Sequence, residues 1–155
     1  MWTFLRRRKA PQPVTLVDYG TFEVVAESFD PAASDVDLLR EAERAGVDLG
    51  RPLILRHAVE VPAAASGPAK RQLAAEGYLA GESASSAEEI VQLRADRTLV
   101  FAGRLTGAAT GLAVAQERAR VAGLVARLGG DVHGWQLLAP PAGYRDGAGY
   151  DRGDP

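Results

Sequence analysis

The chain has 155 residues, which suits one domain with extra length at its ends, and its 46% hydrophobic share is enough to build a core. A net charge of −2 argues against the basic footprint of a duplex-binding domain. Cysteine is missing altogether, which excludes disulfides, iron–sulfur clusters, cysteine-ligated zinc and thiol catalysis.

Residues 1–33 read as an N-terminal arm. Its apolar Met1-Trp2-Thr3-Phe4-Leu5 precedes the basic Arg6-Arg7-Arg8-Lys9, the reverse of a secretory signal. No run approaches the roughly 20 apolar residues of a membrane span. A cytoplasmic location without membrane attachment is therefore expected. Residues 14–29 have strand composition around an Asp18-Tyr19-Gly20 turn, which fits a hairpin or one extra strand.

The predicted domain covers 34–140. Ser34 is a good N-cap, with Asp35 and Asp37 in the first turn, so a helix should run to Arg44 and stop at Gly46. A strand follows over 53–61 and ends at Pro62. A second helix starts at Ser66-Gly67-Pro68 and closes at Gly77. Tyr78-Leu79-Ala80 begins the next strand. Residues 81–89 are irregular, 90–93 regain strand character, and 94–97 form a turn. A third strand spans 99–105. The glycine-rich 103–111 lacks the Lys-Ser/Thr of a P-loop, so its glycines read as flexibility. Thr110 or Gly111 caps a long helix, whose Val114, Val121, Leu124, Val125 and Leu128 recur at helical spacing. Gly129-Gly130 ends it, and a fourth strand covers 135–138. Residues 141–155 read as a disordered tail.

The order is one helix, then two strand–helix–strand halves. This predicts an α+β fold: a ferredoxin-like βαββαβ sandwich with an extra N-terminal helix and a four-stranded antiparallel sheet. Helices on one side leave the other side of the sheet polar and exposed, as Arg56 and Glu60 suggest.

Trp135 reads as a core residue that can also anchor an interface. Asp131 and His133 flank Val132 and project to one side. His57, the other histidine, lies on a strand that can approach the fourth, but two histidines do not make a metal site. No cofactor, metal ion or catalytic constellation is implied, and the chain is not expected to be an enzyme.

The segment 34–140 resembles the RraB-type regulators of ribonuclease E activity. The resemblance rests on Ala45-Gly46-Val47-Asp48-Leu49, Arg51-Pro52, His57-Ala58-Val59-Glu60-Val61-Pro62, Glu76-Gly77-Tyr78 and Gly129-Gly130-Asp131-Val132-His133-Gly134-Trp135. It implies a non-catalytic, bacterial regulator that binds an RNase E/G-type endoribonuclease. The expected partner-binding residues are Arg56, His57, Glu60, Asp131, His133 and Trp135. Two other classes remain open: an RNA-binding module on the sheet, and a small-molecule or metal-binding protein. Direct nucleic-acid contact lacks the stacked aromatics it needs. A homodimer by strand addition is also open.

Overall fold

The computed structural model describes residues 22–81 and 91–140. They form an α+β fold with one five-stranded antiparallel sheet and three helices. In chain order these are β1 (Glu23–Ser28), α1 (Asp35–Arg44), β2 (Leu53–Pro62), α2 (Ser66–Ala75), β3 (Leu79–Gly81), β4 (Arg97–Thr106), α3 (Gly111–Ala126) and β5 (Asp131–Ala139). The strand order is β1-β5-β2-β4-β3.

The helices begin and end where local chemistry places them. Ser34 Oγ accepts from the Asp37 amide at 3.3 Å, and Thr110 Oγ1 accepts from the Ala113 amide at 3.1 Å. Each helix is followed by a glycine with positive φ: Gly46, Gly77 and Gly129.

The sheet has five strands where four were expected. The described part of the N-terminal segment, β1, pairs along the outer edge of β5, from Glu23 opposite Ala139 to Ser28 opposite Trp135. Its Val25 and Ala26 pack on the core formed by Leu39, Leu55, Trp135 and Leu137. The arm's remaining residues and the 141–155 tail lie outside the described residues. β5 starts at Asp131, four residues before the expected start, and carries a bulge opposite the Ala58–Val59 step of β2. Val91 does not join a strand. It is buried against Ala58, Leu99 and Phe101, so its apolar side chain serves burial and not pairing.

Alternation along β2 divides the core. Leu53, Leu55, Val59 and Val61 face the helices. Val59 and Val61 meet Leu73, Val121 and Val125, while Leu53 and Leu55 meet Leu39 and Val114. The other face is not the exposed polar surface that was expected. Ile54, Ala58, Glu60, Gln136 and Leu138 on it are all buried. Phe29 and Val91, from irregular segments, pack over Ala58, Leu99 and Phe101.

Candidate functional site

The residue pattern of β2 sets up an electrostatic problem. Glu60 stands between Val59 and Val61 and is 1% exposed. A carboxylate taken out of water must be neutralised or paired. Three elements converge to pair it. Arg94, in the irregular stretch before β4, donates through Nε to Oε1 at 3.1 Å. Arg97, the first residue of β4, donates through Nε to the same oxygen at 2.9 Å. His133, in the bulged part of β5, meets Oε2 through Nε2 at 2.5 Å.

Burial pushes the Glu60 carboxyl up, but the hydrogen bonds from His133, Arg94 and Arg97 outweigh it and bring the pKa down to about 2. Glu60 is thus ionised. An ionised carboxylate only accepts, so Nε2 of His133 is the donor. When the ring is neutral, its Nδ1 lone pair is left as an acceptor. Asp131, the register partner of Glu60, completes the network by accepting from Arg94 Nη2 at 2.9 Å. Arg97 Nη2 also donates to the Gly129 carbonyl at 2.8 Å, tying the end of α3 to the cluster.

Exposure separates the anchor from the surface. The side chains of Arg94 and Asp131 are 64% and 65% exposed, and that of His133 is 33% exposed. Glu60 has almost no surface of its own and acts through these three. The result is a polar corner, mixed in charge, whose orientation is fixed from beneath by a buried ion.

Arg56 lies on the same face, farther along β2. It donates through Nε to Gln136 Oε1 at 3.1 Å, and Gln136 Nε2 donates to Glu27 Oε2 at 2.8 Å. Its guanidinium sits 5.0 Å from the Phe101 ring centroid. Arg56 is therefore one rung of a ladder across β1, β5, β2 and β4.

His57 and Trp135 do not belong to this face. They are register partners on the helix side, and both are 0% exposed. Neither offers surface to a partner, which corrects their assignment as contact residues. Trp135 Nε1 donates to Asp35 Oδ1 at 2.9 Å, and Arg118 Nη2 meets Asp35 Oδ2 at 2.7 Å. The tryptophan is a core residue locked to the first turn of α1. His57 has no hydrogen-bond partner on either ring nitrogen. Burial lowers its pKa to about 4, so the ring is neutral at pH 7. Because His57 and His133 lie on opposite faces, they cannot share a metal ion. Among the described residues no group of three or more His, Cys, Asp or Glu could hold one.

Arg94 and Arg97 were missed from sequence because the stretch around them reads as a turn. A signal was present in Glu60 itself: a lone acid inside an apolar strand that is buried on both faces requires a cation nearby.

Comparison with family models, curated proteins and solved structures finds no match to this chain. No helix among the described residues is long and apolar enough to cross a membrane.

Proposed function

We propose that the chain is a non-catalytic regulatory protein that binds a protein partner through the Arg94–Asp131–His133 corner. One observation carries this reading: three exposed polar side chains are held in one arrangement by the buried Glu60. A surface ordered before binding loses less side-chain entropy on association. Its mixed charge suits a partner of complementary pattern, which fixes register more than affinity.

The strand order β5-β2-β4-β3, with α2 and α3 as crossovers, supports reading residues 53–139 as a ferredoxin-like unit, with β1 and α1 as additions. Together with the motif resemblance, this supports an RNase E/G-type endoribonuclease in the cytoplasm as the partner. A sheet-face RNA platform is disfavoured. Such platforms stack bases on exposed rings of central strands, whereas Phe101 is buried beneath Phe29 and Arg56.

The test is calorimetric titration of the chain with the catalytic domain of an RNase E/G-type nuclease. Wild type should bind. The double variant Asp131→Ala/His133→Ala should bind at least about tenfold more weakly, corresponding to about 1.4 kcal/mol, while its circular dichroism stays unchanged. An equal affinity for the folded double variant, or no heat from wild type, removes the proposal.

A further inference from the structure

On the helix side of the sheet, away from the Glu60 corner, a half-open cleft of about 350 Å³ lies between the end of β4 and the first half of α3. Leu55, Leu105, Ala113 and Gly77 give it apolar walls, and Arg104 and Glu117 supply its charged groups. That size and mixture are typical of a small-molecule site.

Arg104 is held from behind. Its guanidinium lies 4.9 Å from the centroid of the Tyr78 ring, and its Nη2 pairs with Glu117 Oε1. Tyr78 is itself buried, and its hydroxyl donates to Glu117 Oε2 at 2.7 Å. Both carboxylate oxygens of Glu117 are therefore engaged. A guanidinium carries five N–H donors. Those on Nε and Nη1 of Arg104 have no hydrogen-bond partner among the described residues.

From this we infer that the cleft binds a small organic monocarboxylate, with its carboxylate on the unspent donors of Arg104 and its short apolar body against Leu55, Leu105 and Ala113. One arginine beside a glutamate favours a single negative charge. A phosphate dianion would meet Glu117 with twice the repulsion and only one cation. The fork of the guanidinium matches a carboxylate in two parallel hydrogen bonds. A preformed arginine, stacked and ion-paired before the ligand arrives, needs little reordering to make them.

The test is a two-dimensional amide NMR titration of the full chain with sodium butyrate. Butyramide serves as the neutral isostere and sodium chloride keeps the ionic strength constant. Butyrate should shift the amides of Leu55, Leu105 and Ala113, with a dissociation constant at least about tenfold below that of butyramide. Arg104→Gln should abolish that preference. Ala113→Leu, which fills the cleft without touching charge, should weaken butyrate at least about tenfold and guards against a misfolded arginine variant. Equal binding of the two compounds, undiminished binding to Ala113→Leu, or no shift at these amides through about 10 mM butyrate overturns the inference.

Discussion

His57 sits between Leu55 and Val59 on a strand that is otherwise apolar on its helix side, with both ring nitrogens buried and unpaired. An unsatisfied buried polar group destabilises by roughly 1–3 kcal/mol, so His57→Leu should raise the urea midpoint at pH 7. The pH dependence has a definite sign. The folded-state pKa is about 4, below the ordinary 6.5 of the unfolded chain. The unfolded chain binds the proton first as pH falls, so stability is complete above 6.5 and declines toward 4. A shift of this size corresponds to roughly 3 kcal/mol. Glu60 adds a second decline, between its ordinary 4.5 and about 2, as the pairs it makes with His133, Arg94 and Arg97 are lost. Wild-type stability should therefore fall steadily from pH 6.5 downward. The His57→Leu variant should be flat until about 4.5, where the Glu60 window opens. Urea melts at half-unit steps of pH check this, and parallel profiles for the two proteins would show that His57 is not the group responsible.

At the level of elements, β5 shows why local signals were legible and distant ones were not. The three helices were readable because caps, first-turn acids and terminal glycines act within a few residues of where they sit. The polar and apolar alternation of β2 was readable for the same reason. Whether the far face is open depends on Phe29 and Val91, which arrive from irregular segments far away in sequence. Likewise the polar corner draws on Glu60, Arg94, Arg97, Asp131 and His133 from four separate stretches, and composition gives no register between them. Gly134 records one of these distant contacts. A Cβ there would lie 2.3 Å from the Ser28 carbonyl oxygen and 2.6 Å from the Phe29 ring. Its place in the Gly-Trp pair is thus explained by β1 folding across it and not by turn geometry. Gly134→Ala must push β1 off β5, and overpacking of this kind typically costs about 1–3 kcal/mol. The expected outcome is a lower urea midpoint, together with faster hydrogen exchange at β1 amides. Unchanged protection of β1 would show that Phe29 does not lie over this position.

For the molecule as a whole, β1 decides where the folding unit begins. The expected boundary after residue 33 falls between β1 and α1, yet Val25 and Ala26 of β1 pack in the same core as Leu39 of α1 and Leu137 of β5. Removing the segment would strip that core, lift Phe29 from Ala58 and Phe101, and leave the backbone edge of β5 unpaired. A bare edge strand invites pairing with another chain. Loss of a buried Phe alone typically costs about 3–5 kcal/mol, a large part of the 5–15 kcal/mol that holds a domain together. A chain begun at residue 34 should therefore melt at much lower urea than one begun at residue 22, or lose its cooperative transition. Light scattering should show the shorter chain self-associating. Phe29→Ala in the longer chain separates the two effects, because it removes the side chain while keeping the strand. It should lower stability without self-association, whereas a monomeric, equally stable 34–140 fragment would show that β1 is an ornament on a domain complete without it.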